Sequence, residues 1–144
     1  MLLWDETYET GNIDIDECHK ILINVVNLLT ATHCSSPRRL STYVALVKDS
    51  VGISFRIEER LMAERCSEHP EVIEEHVKEH ELFVERLAIY DEDVANGNLA
   101  VVEALSIFVK QWVLRHLLST DKALGNCLAG DRHYCDIQFP GDLK

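Results

Sequence analysis

The sequence predicts an all-α fold: an antiparallel up-down four-helix bundle with an N-terminal arm and a short C-terminal tail. Three observations carry the prediction. Apolar residues recur at helical rather than alternating spacing along four long stretches. Turn-type residues separate those stretches at three points. The connections are only a few residues long, so successive helices must lie antiparallel beside one another.

The first stretch, 16–33, places Leu22, Val25, Val26 and Leu29 on a stripe that continues the line of His19. Ser35-Ser36-Pro37 has the composition that ends one helix and starts the next. In the second stretch, 39–65, the apolar face is Leu40, Val44, Val47, Val51, Phe55, Leu61 and Met62. A proline stop follows in Cys66-Ser67-Glu68-His69-Pro70. The third stretch, 71–95, carries Val72, Ile73, Phe83, Leu87 and Val94 among dense carboxylates, and Asn96-Gly97-Asn98 is an αL-tolerant C-cap. The fourth, 99–124, carries Val102, Leu105, Val109, Trp112, Val113 and Leu117. The chain reads as a single domain, 1–144, with the bundle at about 16–122 and a tail at about 125–144.

A chain of 144 residues can bury a full hydrophobic core, and 47% apolar with 27% charged residues is ordinary for a soluble globular domain. A net charge of −11 argues against nucleic acid, whose phosphates need Lys and Arg clusters. Much of the acidic excess lies between Glu58 and Asp93 and reads as a solvated helix face. No apolar run approaches the roughly 18 residues of a membrane span. The start, Met1-Leu2-Leu3-Trp4-Asp5, lacks the basic region and apolar core of a signal peptide, so a cytoplasmic location is expected.

Five cysteines, an odd number without an export signal, favour reduced thiols over a disulfide framework. Cys34 and Cys66 read as helix-end residues. Cys127, His133 and Cys135 lack a zinc-motif spacing and a fourth ligand, and are expected in a packed or loosely held tail.

Metal-type side chains stand at helical spacing on all four stretches: His19; Ser54 and Glu58; His76 and His80; His116 with Asp121. His76 and His80 are four apart, share a helix face and can offer two imidazoles to one cation. Residues equally distant from a turn lie at one level of an antiparallel pair. His19 mirrors Ser54 about Ser36 and Pro37, Glu58 mirrors His76 about Ser67, and residues 78 and 116 match about Gly97. An error of two residues shifts a side chain by only about 3 Å at a rise of about 1.5 Å per residue. The four helices therefore meet in one polar layer. Cys18 adjoins His19, but neighbours on a helix diverge by about 100°, so it is not expected in that layer.

These motifs resemble the hemerythrin family, and in particular the bacteriohemerythrins. Trp4, Thr10-Gly11-Asn12 and Ile15-Asp16-Glu17-Cys18-His19-Lys20 look like the family's opening, with Cys18 where a Gln usually stands. Phe55-Arg56-Ile57-Glu58-Glu59-Arg60-Leu61-Met62 is similar to its second-helix motif, His76 and His80 to its third-helix pair, and Trp112-Val113-Leu114-Arg115-His116 with Asp121 to its fourth. The resemblance, spanning about 4–122, implies that His76, His80 and His116 hold one iron, that His19 serves a second, and that Glu58 and Asp121 bridge the two. Spacing alone does not select Asp121, since five residues turn about 140° round a helix.

The departure is Ser54, which stands where the family has a His. A serine hydroxyl is a poor ligand beside imidazole, so the His19 iron keeps one nitrogen donor. His33 is about 21 Å from His19 along one helix and His69 about 10 Å from His76, so neither replaces it. His133 stays open as a source. Ferritin-like bundles use Glu-x-x-His pairs, and no His here has Glu three positions before it.

The expected function is that of a non-heme di-iron protein binding or sensing O₂ or a related small molecule such as NO or peroxide, with the second iron weaker. It is not expected to be an enzyme in the strict sense. The competing class is a single-metal or metal-free helical bundle, acting as an interaction or iron-binding module. An iron-dependent oxidase or peroxidase, the third alternative, needs an electron donor or redox partner protein.

Overall fold

A computed structural model describes residues 1–31 and 36–130. Helix α1 (Ile13–Ala31) begins at Asn12, whose side-chain oxygen accepts from the backbone N–H of Asp14 at 3.1 Å and of Ile15 at 3.2 Å. Helices α2 (Pro37–Arg65) and α3 (Pro70–Ala95) each open on a proline, tolerated in a first turn because its missing N–H has no partner to lose. Gly97, at φ +79°, reverses the chain beyond the Asn96 cap. A single 3₁₀ turn, Leu99–Val101, then leads into α4 (Val102–Leu118), and α5 (Thr120–Leu128) follows a break at Ser119. The fold is an all-α four-helix bundle with α5 packed across α2 and α4. No helix among the described residues is long and apolar enough to cross a membrane.

The N-terminal arm lies along α1. The Leu2 amide donates to Asn27 Oδ1 and the Asn27 amide donates back to the Leu2 carbonyl, both at 2.7 Å. Trp4 packs on the core, with Lys20 over its ring at 5.3 Å.

The core is in two parts. The larger contains Leu22, Val26, Leu29, Val44, Val51, Phe55, Phe83, Leu87, Val109, Trp112 and Leu117; the smaller contains Ile15, Leu61, Met62, Val72, Ala123, Leu124 and Leu128. Helices α1, α2 and α3 contribute to both parts, changing over at His19, at Glu58 and at the His76–His80 turn, whereas α4 contributes only to the larger and α5 only to the smaller. The metal-type residues thus form a buried polar floor between two apolar compartments.

Two expectations are corrected here. The predicted helix over 99–124 is instead a 3₁₀ turn and two helices, and residues 125–128 belong to α5 rather than to a tail. Ala123, Leu124 and Leu128 are buried and close the smaller core, which the first four helices leave open. Gly125 permits this docking, because a Cβ there would run into the Thr10 carbonyl. Lys122 donates to the Glu9 carbonyl and Arg65 to the Leu128 carbonyl, each at 2.6 Å.

The second correction concerns the thiols. Cys66, at the C-cap of α2, and Cys127 on α5 form a disulfide, with Cα atoms 6.2 Å apart across a sequence separation of 61. Counting cysteines cannot reveal that two helices bring these two together. Cys18 is a free thiol. His33, Cys34, His133 and Cys135 lie outside the described residues.

The disulfide closes a long loop, which in the chain-entropy account restricts the unfolded state by about 2–4 kcal/mol. Replacing both Cys66 and Cys127 with Ala should lower stability in denaturant titrations by that order. The wild-type chain should lose as much on adding a dithiol reductant, and the double variant should not respond to it.

Candidate metal centre

Seven side chains converge on the polar floor: His19 from α1, Ser54 and Glu58 from α2, His76 and His80 from α3, His116 from α4 and Asp121 from α5. None is more than 5% exposed. Glu58 is central. Its Oε1 lies 3.3 Å from His19 Nε2, and its Oε2 lies 3.4 Å from His76 Nε2 and 3.0 Å from His80 Nε2. Asp121 repeats the pattern, with Oδ2 at 3.2 Å from His19 Nε2 and Oδ1 at 3.4 Å from His76 Nε2 and 3.1 Å from His116 Nε2. Each carboxylate turns one oxygen toward His19 and the other toward the three-imidazole group.

Two overlapping donor groups result. Glu58, His76, His80 and His116 form one; His19, Glu58 and Asp121 form the other; within each, the donor atoms lie within 4.8 Å of one another. The break at Ser119 is what brings in Asp121, since a continuous helix would turn it away from His116. Ser54 also reaches the floor, as its mirror position predicts. Its hydroxyl is directed at the protein, donating to Glu58 Oε1 at 2.7 Å.

The donor set fits a cation. His76 Nε2, Glu58 Oε2 and both Asp121 oxygens are buried without hydrogen-bond partners, although imidazoles stand close by. Orphaned buried groups of this kind are costly unless something satisfies them. The Nε2 atoms of His80 and His116 lie 3.1 Å apart. Their Nδ1 atoms face carboxylates, His80 at 2.8 Å from Glu59 Oε1 and His116 at 3.0 Å from Glu79 Oε2. Carboxylates hold the proton on Nδ1, so both Nε2 lone pairs point inward and repel unless a proton or cation stands between them. Phe55 stacks on His80 with ring centroids 3.7 Å apart, and Trp112 on His116 at 4.3 Å, which sets the ring planes.

Glu59, Glu79 and Thr120 are the residues of this centre that sequence reading does not single out. Each adjoins a predicted ligand, but the two glutamates sit in a carboxylate run that reads as a solvated face.

A family model described as the hemerythrin HHE cation binding domain matches residues 10–128. The chain belongs to the hemerythrin family. It is 27% identical to a bacteriohemerythrin of Stenotrophomonas maltophilia (strain R551-3), covering 85% of this chain and 78% of that one. It is 29% identical to a hemerythrin-like protein of Naegleria gruberi and 30% identical to a myohemerythrin of Theromyzon tessulatum, each over 82% of this chain and 86% of the relative. No solved structure matches at comparable strength.

Without metal, this hemerythrin-family centre balances its charge with protons. Burial opposes a charged His19, but the Asp121 charge and the close polar contacts with Asp121 at 3.2 Å and Glu58 at 3.3 Å outweigh it and push the imidazole up to about 9. At His116 burial is likewise overcome, chiefly by Asp121, and the ring is raised well above its usual range; His76 is raised as well. Burial works against ionised Glu58 too, yet the surrounding imidazoles hold it well below the usual carboxylate range. Asp121 is pushed up by burial and by Glu58, and pulled further down by His116 and His19.

These shifts fix a pH dependence. His19 holds its proton more tightly folded than unfolded, so its contribution to the metal-free fold is complete below about 6.5 and is lost as pH rises through about 9. The depressed carboxylates act oppositely, contributing above their ordinary range and losing that contribution in acid. The melting temperature of the chelator-treated protein should therefore fall between about pH 6.5 and 9. Divalent metal, which displaces the protons, should bind more tightly over the same interval. A metal-free melting temperature that climbs through this window would contradict the assignment.

Proposed function

We propose that this chain is a non-heme di-iron protein that binds or senses O₂ or a related small molecule such as NO or peroxide. Its ligands are His76, His80 and His116 at one metal, His19 at the other, and Glu58 and Asp121 shared between them. The observation that carries this is the division of each carboxylate, one oxygen toward His19 and one toward the three imidazoles. Shared carboxylates offset the charge of two cations, and imidazole suits iron. Membership of the hemerythrin family supports the same assignment. The proposal takes residues 1–144 as a single hemerythrin-like domain, a binding or sensing protein rather than an enzyme.

Two ferrous ions would supply the electrons on which reversible O₂ binding draws. The chain supplies a dry setting: Leu22, Phe55, Trp112, Val113 and Leu117 line the narrow cleft beside Ser54 and His19. Apolar walls limit the water and protons that would make O₂ binding irreversible. Ser54 works against that control, because a metal at His19 would have one nitrogen donor and an incomplete ligand set, the buried Ser54 hydroxyl being turned to Glu58 Oε1 instead. This favours sensing or iron-dependent redox chemistry over storage of O₂.

Anaerobic loading with ferrous iron should give close to two irons per chain, the second bound more weakly, followed by a new visible absorption on admitting air. A single tight iron with no second would sink the di-iron assignment. It would leave the single-metal alternative at His76, His80 and His116, which the four-donor group they form with Glu58 favours over a metal-free one.

The Ser54→His variant should tighten the second iron and slow its loss in air, since a fixed imidazole donor on a rigid helix replaces a buried hydroxyl that is turned to Glu58. Iron retention after timed exposure to O₂ measures this. Equal retention by variant and wild type would mean that residue 54 does not control the second metal.

A further inference from the structure

Glu79 holds a place in this centre that its position in an acidic run conceals. Its side chain turns inward from α3, and a single oxygen, Oε2, receives two contacts. His116 Nδ1 approaches it at 3.0 Å and the Thr120 hydroxyl donates to it at 2.9 Å. Those residues stand on opposite sides of the break at Ser119, one at the end of α4 and the other at the start of α5. His116 and Asp121 converge only because the chain breaks there. Glu79 also precedes His80 directly, so it anchors the break to the helix that carries two further imidazoles.

We propose that Glu79 is a positioning residue of the metal centre. By clamping the α4–α5 break it fixes the His116 ring, with Nε2 facing inward, and the start of the helix that delivers Asp121. The inference rests on the metal assignment above and extends it to a residue outside the ligand set. Glu59 resembles Glu79 only in part: it meets His80 alone, and its side chain is 38% exposed against 16% for Glu79. A carboxylate in water is a weaker anchor than one held by a buried hydroxyl. Thr120, 0% exposed, supplies that hydroxyl. Partners of this kind set a ligand's tautomer and orientation, and losing one typically lowers metal affinity about 10- to 100-fold.

The test uses cobalt(II) alone, anaerobically, on the full chain, measuring stoichiometry, the affinity of the first equivalent and the visible d–d spectrum. Glu79→Ala should weaken the first equivalent by about 10- to 100-fold and change the d–d spectrum. Glu79→Gln, which keeps an acceptor oxygen, should recover part of both. Thr120→Val leaves the His116 contact intact and should instead weaken the second equivalent, through Asp121. Melting of the metal-free variants is followed in parallel. Wild-type affinity and an unchanged spectrum in Glu79→Ala would overturn the proposal. So would a weaker affinity that only follows a lower melting temperature while the bound cobalt keeps its wild-type spectrum. Failure of the wild-type chain to bind cobalt or ferrous iron would instead overturn the metal assignment itself, and the role of Glu79 with it.

Discussion

Everything in this fold is arranged around four imidazoles and two carboxylates taken out of water together. Burying Glu58 and Asp121 as anions would be prohibitive for either alone, since an isolated buried charge keeps a desolvation penalty of several kcal/mol. Each is tolerated because imidazoles surround it, and each imidazole is tolerated because a carboxylate oxygen stands within hydrogen-bond reach. Opposing demands of this sort are met by a shared cation, and in its absence by protons, which is why the rings hold theirs so tightly. The polar floor costs the fold a continuous apolar core, and the two compartments on either side are its consequence.

That constraint explains features that look unrelated. A fifth helix is needed because Asp121 cannot reach the floor from a continuous α4, and the fifth helix must then be held down. Gly125 against Thr10, Arg65 on the Leu128 carbonyl and the Cys66–Cys127 disulfide all hold it. Aromatic rings over His80 and His116 serve the same end from the larger core, limiting ring rotation where a small misorientation would turn a lone pair away. Ser54 fits the scheme in a different way. Its hydroxyl satisfies Glu58 Oε1, so the position where the resemblance implies a ligand here supports a neighbouring carboxylate.

Much of this was legible in the chain. Apolar periodicity placed the long helices, because a helix buried on one side must repeat its apolar residues with the helical period. The first three matched to within a few residues at every end the structure describes. The mirror argument put His19, Ser54, Glu58, His76 and His116 at one height, which short connections between antiparallel helices enforce. Asp121 came only through family resemblance, and the geometry shows why: it depends on a break at Ser119 that no strong breaker residue announces. Thr120 is hidden by the same break, and Glu79 by its place in a run of carboxylates that reads as a solvated face.

What the sequence determined by itself is the period, the turns and the chemical types of the inward residues, all of which are local properties of a chain segment. What only the tertiary structure decided are relations between segments. Cys66 meets Cys127 across a separation of 61 residues, and residues 125–128 close a core instead of trailing as a tail. Each carboxylate divides its two oxygens between His19 and the other imidazoles. Residue identity states what a side chain can bind. Where its two oxygens point is fixed by five helices packed together, and no single segment contains that information.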